Sequence, residues 1–595
     1  MNAIEEAFLG VARSLGGKRW RTRGDDDRLA LALSQRFDLP EAVGRVMAAR
    51  GIALDDAAAF LNPALKDQLP DPSHLNDMNA AVDRLVAAVR QGETIGVFGD
   101  YDVDGATSSA LLSRFFDAVG GRTRIYIPDR LTEGYGPNAA ALAKLQAEGI
   151  AVVITVDCGI TAFEPLEDAA EAGLEVVVVD HHVAEPRLPR ALAVINPNRL
   201  DDDSTHGQLA AVGVAFLLAV AVNRGLRDVG WYAERDEPNL LSFLDLVALG
   251  TVCDVVPLTG LNRAFVRQGL TVMARRRNLG LAALADVAGV SEALKSYHAG
   301  FVLGPRVNAG GRVGEAGLGA TLLTTRDTEE ARSIARRLDD YNQERRAIEA
   351  TCLQEAIDKV EAEAQRGELD DGLIYVAAEG WHPGVIGIVA SRLKDRYNRP
   401  ACVVAFADGV GKGSGRSVRG VDLGVAVVAA RQSGLLLNGG GHPMAAGFTV
   451  EHGQEASFRA FLSDRIAEHI GADGIVAELG IDGSLQPGGA NVDFIESLEQ
   501  LAPFGAGNAR PRFVFPAARV LKADIVGHDH VRCFIGGEDG GRIKGIAFRV
   551  ADEPLGQALL SSGSMPLHIA GHLERDSWRG RDEAQMIIED AAKIS

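Results

Sequence analysis

The 595-residue sequence has no apolar run approaching the roughly 18–20 residues that a membrane-spanning helix needs. Its first residues also lack the basic-then-apolar pattern of a secretory signal. We therefore expect a cytoplasmic protein without a membrane anchor. Five cysteines lie far apart with no Cys-x-x-Cys pair, so neither a disulfide framework nor a zinc site is indicated.

Basic residues are in short supply, with 61 against 81 acidic residues and a formal net charge of −20. This balance argues against a general nucleic-acid coat protein, although it leaves room for a basic channel within an acidic body. A hydrophobic content of 47% indicates a folded chain. The length suggests about three or four domains.

Three alternating aspartates follow a short apolar run and precede a helical pattern. Asp100, Asp102 and Asp104 lie at this predicted strand-to-helix turn, which is where open α/β sheets bind ligands. Carboxylates at this spacing repel one another, so a metal ion explains them better than the alternative, a solvated acidic turn. An EF-hand calcium loop is excluded, because the position of its bidentate glutamate holds Leu111.

Several later apolar runs predict a parallel sheet that is buried on both faces. Asp157 follows one run, Asp180-His181-His182 follows the next, and Asp254 ends a later run that we also interpret as a strand. One such aspartate is more often a turn or capping residue, but several at one sheet edge converge. Oxygen ligands with an imidazole suit Mg²⁺ or Mn²⁺, and their number suits two ions. The residues therefore predict metal-assisted phosphoester hydrolysis.

These four segments resemble the motifs of the DHH phosphoesterases, and most closely those of the bacterial members that degrade single-stranded DNA. The resemblance implies a parallel-sheet DHH domain and two divalent ions, Mn²⁺ or Mg²⁺. The implied ligands are Asp104, Asp157, His181 and Asp254 for one ion, and Asp102 and Asp157, aided by Asp100, for the other.

Two further roles follow from the same resemblance. His182 is expected to face the scissile phosphate, and Asp180 is expected to orient both histidines. Relatives that cleave small phosphates often carry a histidine four residues before the first ligand aspartate, where this sequence has Phe98. We therefore expect the outer metal to bind weakly.

Glycine-rich segments with arginine suit phosphate, because backbone N–H groups and a guanidinium can reach it together. We interpret residues 128–136 and 304–312 as such loops, and residues 438–447 as a glycine loop leading into a helix. Each signal alone is weak, because loop arginines are usually solvated. The resemblance implies contact with the substrate for Arg130, Tyr135, Arg306, Asn308, Arg312, His382, Ser414, Arg416, Gly440, Gly441 and His442.

The domain organisation expected is an α/β chain with a C-terminal barrel. Five short strand-like runs after residue 469 suit an OB-fold. Trp20, among basic residues, could stack on a base or pack on a neighbouring domain. The expected domains are an N-terminal arm (1–75), the DHH domain (76–325), a connecting helix capped by Asp327 (326–366), a smaller α/β DHHA1 domain (367–468) and the OB-like barrel (469–595).

The leading hypothesis for function is a 5′-to-3′ exonuclease of single-stranded DNA that releases mononucleotides during DNA repair and recombination. Arg130, Ser414 and Arg416 would then form a pocket for a terminal 5′ phosphate. The resemblance also suggests a monomer that works with a single-strand-binding protein and a helicase. A phosphoesterase of oligoribonucleotides or cyclic dinucleotides would leave the barrel unused. A non-catalytic replication scaffold would be expected to have lost carboxylates, and none is missing.

Overall fold

The computed structural model describes residues 7–130, 132–470, 475–561, 565–576 and 582–594. The chain forms two compact units. The sheet unit spans residues 64–471 with 505–507, and the barrel unit comprises residues 1–63, 472–504 and 508–595. Within the described ranges, no helix combines the length and the apolar character needed to cross a membrane.

The N-terminal part of the barrel unit is one strand followed by three helices. Asp26 caps the first helix by accepting a hydrogen bond from the backbone N–H of Leu29. The elements are β1 (Arg19–Thr22), α1 (Asp27–Phe37), α2 (Glu41–Ala49) and α3 (Ala57–Leu61).

The sheet unit begins with a doubly wound parallel sheet of strand order β3-β2-β4-β5-β6. Strands β4 and β5 are buried almost throughout, as the continuous apolar runs predicted. The order reverses between β2 and β4, and ligands bind at such switch points. The elements are α4 (Leu65–Gln68), α5 (Met78–Gln91), β2 (Thr94–Gly99), α6 (Val103–Ala118), β3 (Arg122–Tyr126), α7 (Ala139–Ala147), β4 (Val152–Val156), α8 (Phe163–Glu171), β5 (Glu175–Val179), β6 (Ala193–Ile195) and α9 (Ala211–Asp228).

Helices follow the first sheet. The apolar run before Asp254 is a helix, so its interpretation as a strand is wrong. All residues from Leu244 to Thr251 are buried, and a short run that is apolar on every side does not distinguish a buried strand from a buried helix. The elements are α10 (Leu244–Cys253), α11 (Gly260–Met273), α12 (Leu279–Val287), a π-helix (His298–Leu303), α13 (Gly304–Val313) and α14 (Leu318–Thr324).

A single helix of 39 residues, α15 (Thr328–Arg366), leads to the second sheet. Its first turn is capped as predicted, because Asp327 accepts a hydrogen bond of 2.8 Å from the backbone N–H of Glu330. Gly367 ends the helix in the left-handed conformation, with φ of 71°.

The second sheet is mixed and has the strand order β10-β11-β9-β8-β7. The segment 438–447 is a β-hairpin and not a loop that leads into a helix. One glycine of the hairpin is required by packing, because a Cβ on Gly441 would lie 2.3 Å from the carbonyl oxygen of Ala445. The elements are β7 (Ile374–Glu379), α16 (Ile386–Tyr397), β8 (Ala401–Ala407), β9 (Val410–Arg416), α17 (Leu423–Gln432), β10 (Asn438–His442), β11 (Ala445–Glu451) and α18 (Glu455–Ala467).

The C-terminal part of the barrel unit contains a closed five-stranded barrel of order β14-β15-β16-β18-β17, closed by pairing of β14 with β17. Each strand contains one of the five predicted strand-like runs, so the predicted barrel is confirmed. The elements are β12 (Glu478–Ile481), β13 (Gly483–Ser484), α19 (Val492–Glu499), β14 (Phe513–Val526), β15 (His530–Gly536), β16 (Arg542–Ala547), α20 (Pro554–Ser561), β17 (Leu567–Asp576) and β18 (Glu583–Lys593).

The N-terminal residues share a core with this barrel. Leu33 of α1 and Val46 of α2 are fully buried in one cluster with Phe513 and Phe515 of β14. Trp20 is also fully buried, and its Nε1 donates a hydrogen bond of 2.9 Å to Asp590. Of its two possible roles, Trp20 therefore packs against a neighbouring element. Residues 7–63 form part of the barrel unit and do not extend from it as an arm.

Candidate active site

The three alternating aspartates lie at the switch point of the first sheet. Asp100 follows β2 directly, and Asp102 caps α6 by accepting hydrogen bonds from the backbone N–H groups of Asp104 and Gly105. A Cβ on Gly105 would lie 2.3 Å from the carbonyl oxygen of Asp100. The glycine therefore lets α6 begin against the end of β2, which brings the three carboxylates together.

Asp104 is anchored by a second helix. One of its oxygens accepts a hydrogen bond of 2.7 Å from the backbone N–H of Ala211, and the other accepts one of 2.9 Å from Val212. These donors belong to the first turn of α9, whose positive dipole end favours a carboxylate. Burial and the charge of Asp102 nevertheless raise the pKa of Asp104 to about 7.

Asp157 follows β4, the neighbour of β2 across the switch point. Its φ of 60° lies in the left-handed region, which non-glycine residues rarely adopt. Strain of this kind costs about 1–3 kcal/mol and concentrates at functional sites. The backbone N–H of Asp157 donates to the carbonyl of Val179. The backbone carbonyl of Asp157 accepts a hydrogen bond of 3.1 Å from the hydroxyl of Tyr135.

Asp180 organises the histidine pair that follows β5. It accepts hydrogen bonds from the backbone N–H groups of Ile160, His181 and His182, and one of 2.7 Å from Nδ1 of His182. Burial opposes its ionisation, but the hydrogen bond and charge of His182 lower the pKa of Asp180 to about 2. The same contact overcomes burial and raises the pKa of His182 to about 9.

His181 has the opposite character to His182. Burial and the charge of His182 lower the pKa of His181 to about 4, so its ring is neutral at physiological pH. Its Nε2 lies 3.3 Å from an oxygen of Asp157, 3.6 Å from Asp254 and 3.9 Å from Asp104. These contacts are not ion pairs, because a neutral imidazole carries no charge to balance the three carboxylates.

Asp254 joins the cluster from the end of α10. Burial and the charge of Asp104 raise its pKa to about 9. Burial and the neighbouring aspartates also raise the pKa of Asp100 and Asp157 well above the usual value. The sequence predicted this convergence of carboxylates, although Asp254 arrives on a helix.

The donor atoms of this cluster fit divalent cations. Among the described residues, three of its buried atoms have no hydrogen-bond partner, namely Nε2 of His181, Oδ1 of Asp100 and Oδ2 of Asp254. Three compact ligand groups are found among the described residues: Asp104 with His181 and Asp254, Asp100 with Asp102 and Asp157, and Asp157 with His181 and His182. Oxygen donors with one imidazole nitrogen and no thiolate suit Mn²⁺ or Mg²⁺. Cations would also remove the repulsion that raises these carboxyl pKa values.

Three arginines form a second cluster of like charge in the sheet unit. Nη1 of Arg416 donates to Oγ of Ser414 at 3.1 Å, and Nη1 of Arg312 donates to the carbonyl of Gly384 at 2.9 Å. Burial and the charge of Arg130 lower the pKa of Arg312 to about 10, and the same two causes lower that of Arg416. The guanidinium of Arg130 also lies 5.0 Å from the centre of the Tyr101 ring, next to Asp100 and Asp102 in the chain, and its charge opposes the rise in the pKa of Asp100.

The remaining predicted contacts are placed differently. Residues 304–312 form α13 and not a loop, and Nε of Arg306 is bound to Asp339 at 2.7 Å. Asn308 is half-buried on the same helix. His382 accepts a hydrogen bond from the backbone N–H of Gly384. Gly440, Gly441 and His442 lie in the edge strand β10.

Two asparagines of this site escaped the sequence reasoning. The side-chain amide of Asn196 donates to the backbone carbonyl of His182 at 2.8 Å, and that of Asn198 donates to the carbonyl of His181. Both follow β6, so the signal that revealed Asp157 and Asp180, a polar residue just beyond a buried strand, was present. Together they hold the backbone of the histidine pair.

Comparison with known proteins now identifies the family. Family models match three parts of the chain: the DHH family, N-terminal domain at residues 94–251, the DHHA1 domain at 370–468 and the RecJ OB domain at 481–590. Single-stranded-DNA-specific exonuclease RecJ of Dickeya dadantii is 38% identical over 93% of this chain and 96% of its own length. The Escherichia coli RecJ is 37% identical over the same shares.

The chain belongs to the RecJ family. Its fold matches RecJ of Thermus thermophilus in complex with Mn²⁺, with a TM-score of 0.78 and 29% identity over 95% of this chain and 78% of that one. The Mg²⁺ complex of the same protein matches with a TM-score of 0.73 and 28% identity, over 95% and 77%. The expected DHH, DHHA1 and OB architecture of a RecJ protein is therefore confirmed.

Proposed function

We propose that this protein is an exonuclease specific for single-stranded DNA that works from the 5′ end and releases mononucleotides, in DNA repair and recombination. The observation that carries the proposal is the acidic cluster of Asp100, Asp102, Asp104, Asp157, His181 and Asp254. Three of its buried ligand atoms have no hydrogen-bond partner in the part of the chain that the structure describes. Membership of the RecJ family indicates the substrate, because the relatives are named single-stranded-DNA-specific exonucleases.

Two divalent cations, Mn²⁺ or Mg²⁺, would supply an activated water and neutralise charge on the phosphoryl group. We assign one cation to Asp104, Asp157, His181 and Asp254, and the other to Asp102 and Asp157 with help from Asp100. The neutral ring of His181 suits this role, since a protonated imidazole cannot bind a metal. Phe98 leaves the second cation without an imidazole ligand from that position, which supports weak binding there.

His182 acts on the substrate itself. Its Nδ1 is committed to Asp180, so Nε2 is the nitrogen that remains for a phosphate oxygen. Its raised pKa keeps the ring protonated at neutral pH. In this proposal Nε2–H donates a charge-assisted hydrogen bond to the scissile phosphate, and Asp180 and Asn196 hold the ring and backbone in place.

The direction of cleavage follows from the arginine cluster. Arg130, Ser414 and Arg416 offer two guanidiniums and a hydroxyl, which suit a terminal phosphate dianion better than an internal diester. Because Arg130 lies against the ring of Tyr101, between Asp100 and Asp102 in the chain, a 5′ phosphate held here would lie close to the acidic cluster. A terminal phosphate fixed beside the reaction centre explains the release of single nucleotides from that end.

Further elements of the proposal concern the cellular setting. An enzyme limited to single strands needs them to be supplied, so we propose a helicase and a single-strand-binding protein as partners. We also propose that the enzyme acts as a monomer in the cytoplasm, where its DNA substrate is found.

The direct test compares substrates of different length and strandedness. We expect Mn²⁺-dependent release of mononucleotides from a 5′-phosphorylated single strand of 30 nucleotides, little release from the duplex form, and none with excess chelator. Labels at the 5′ and the 3′ end separate the two directions of attack. Rapid cleavage of cyclic dinucleotides or short oligoribonucleotides with no action on long DNA strands would contradict the proposal.

A further inference from the structure

Two aromatic side chains lie exposed and stacked on one surface of the sheet unit. Tyr297 is 58% exposed and Phe301 is 70% exposed. Their ring centroids are 5.4 Å apart with an interplanar angle of 25°. Leaving two neighbouring aromatic rings in water forgoes the free energy that burying their apolar surface would give. Such a pair is therefore expected to contact a ligand or partner.

The helix that carries this pair packs on the residues next to Asp254. Sγ of Cys253 lies 3.4 Å from the carbonyl oxygen of Ala299, to which it donates. A Cβ on Gly304 would lie only 2.4 Å from the same sulfur, and one on Gly300 would lie 3.2 Å from Val252. Small residues at these positions therefore allow the π-helix and the first residue of α13 to lie directly against the last turn of α10, beside the acidic cluster.

The aromatic pair is supported from one side. One face of each ring lies toward the other ring, and the ring of Tyr297 also meets that of His298 edge-on, with centroids 5.7 Å apart. Between the two rings in sequence lies His298, which is buried. Its Nδ1 accepts a hydrogen bond of 3.0 Å from the backbone N–H of Lys295, and its Nε2 lies 3.0 Å from a carboxylate oxygen of Glu292. π-helical turns are rare and often occur at functional sites. The structure thus fixes two rings whose remaining surface is exposed to a ligand.

Apolar surface also continues from the acidic cluster itself. Val255, the residue after Asp254, is 70% exposed. Its φ of 62° is an outlier for a β-branched residue, and such strain persists only where the surroundings impose it. Exposed apolar side chains therefore lie on both elements that meet beside Asp254.

We propose that Tyr297 and Phe301 form a stacking platform for bases of the substrate strand on the 3′ side of the scissile phosphate. This inference rests on the proposed function. Stacking on aromatic rings is tolerant of sequence, because every base has a π-face, and an exonuclease that degrades any strand needs that tolerance. The platform would hold the strand in register after each nucleotide is released.

The test measures the length dependence of KM. We expect Tyr297→Ala/Phe301→Ala to raise KM for a single strand of 20 nucleotides by about 10-fold or more, because each stacked base contributes substantially to binding. Its kcat should change less than about 2-fold, and cleavage of a 5′-phosphorylated dinucleotide should be unaffected. Among single variants, Phe301→Trp should bind the strand about as tightly as the wild type. Phe301→Leu keeps apolar surface but has no π-face, so it should bind as weakly as Phe301→Ala.

The control is Leu200→Ala, which removes an apolar side chain that is 74% exposed and lies in the loop after β6. It should leave KM unchanged. A strand carrying 2-aminopurine near its 5′ end should show quenching by the wild type and less by the double variant. An unchanged KM in the double variant, or full rescue by Phe301→Leu, would overturn the platform while the exonuclease assignment stands. If the wild type fails to cleave the 20-nucleotide strand, the proposed function fails and this inference fails with it.

Discussion

Two polar clusters of this chain, one partly buried and one largely buried, both contain carboxylates and histidine but balance their charges differently. In the barrel unit, Glu589 accepts hydrogen bonds from Arg512 and lies 2.8 Å from Nδ1 of His572. Burial opposes its ionisation, but these partners lower the pKa of Glu589 to about 2. In the sheet unit, burial and like charges instead raise the pKa of Asp254 to about 9.

The contrast does not come from burial alone. Asp180 lies beside the acidic cluster and is fully buried, yet its pKa is lowered to about 2, because backbone donors and His182 satisfy both of its oxygens. Asp100 and Asp254 each keep one buried oxygen that no described residue pairs with. A polar cluster that completes its own hydrogen bonds supports the fold, whereas one that leaves carboxylate oxygens unmatched is suited to binding a ligand.

The largest effect should come from removing a carboxylate of the acidic cluster. We expect Asp254→Asn to lower kcat by at least about 1,000-fold at saturating Mn²⁺, which corresponds to about 4 kcal/mol in the barrier. Thermal stability without metal should stay the same or rise, because a carboxylate that is repelled by its neighbours is gone.

The matched control is Asp228→Asn, an exposed carboxylate at the end of α9, which should keep full activity. Turnover of a labelled single strand and thermal unfolding in chelator check both expectations. Near wild-type turnover of the Asp254 variant would show that the ligand assignment is wrong.

The next largest effect should come from separating the two units. A fragment of residues 64–470 should fold and cleave very short oligonucleotides, but bind a long strand at least about 30-fold more weakly, because stacked bases contribute about 1–3 kcal/mol each and phosphate contacts add to this. Binding to strands of increasing length gives the measurement. Equal affinity of fragment and full chain would contradict a DNA-binding role for the barrel unit.

A cut at residue 470 alone should behave worse than this fragment. It would leave the apolar faces of α1 and α2, including Leu33 and Val46, without the barrel that covers them. Such exposed apolar surface favours aggregation. A well-folded 1–470 fragment would show that residues 7–63 do not depend on the barrel.

A smaller effect is expected at the arginine cluster. Arg416→Ala should reduce cleavage of 5′-phosphorylated strands by roughly 10- to 100-fold, since a charge-assisted contact contributes about 1.5–3 kcal/mol. Strands with a 5′ hydroxyl should be affected much less. Arg419→Ala, an exposed arginine three residues later, is the control. Identical losses on both substrates would reject the terminal phosphate pocket.

Much of the architecture could be predicted because it depends on local patterns. Apolar runs that end in Asp157 and in Asp180 marked strand ends of a parallel sheet, and carboxyl ends of parallel strands meet at one edge. The five barrel strands were also visible as separate short runs. In both regions, the period and length of the run determine the element.

The errors arise where tertiary contacts decide. The run before Asp254 is buried on all sides, so its pattern suits a helix as well as a strand. The glycines of 438–447 suggested a loop, but Gly441 is needed within a hairpin, where a Cβ would lie 2.3 Å from the carbonyl oxygen of Ala445. Arg306 has the same composition signal as Arg416, yet only the structure shows that Asp339 binds it. Partners distant in sequence leave no local trace.

The smallest effect concerns the cluster of Glu589, Arg512 and His572 in the barrel unit, and it depends on pH. The folded-state pKa of Glu589, about 2, lies below its usual value of 4.5, so its contribution to stability is present above about pH 4.5 and is lost as pH falls through 2. We expect the wild-type barrel unit to lose about 1–2 kcal/mol of its unfolding free energy between pH 5 and pH 3 through this group, allowing for its partial exposure.

Glu589→Gln should be less stable than the wild type at pH 5 and should lack this pH-dependent part. Tryptophan fluorescence during urea unfolding, in a background of Trp231→Phe, Trp381→Phe and Trp578→Phe, reports on the barrel unit through Trp20. The exposed Glu538→Gln should unfold like the wild type at both pH values. If the wild type and Glu589→Gln lose the same stability between pH 5 and pH 3, ionised Glu589 does not stabilise the barrel unit through Arg512 and His572.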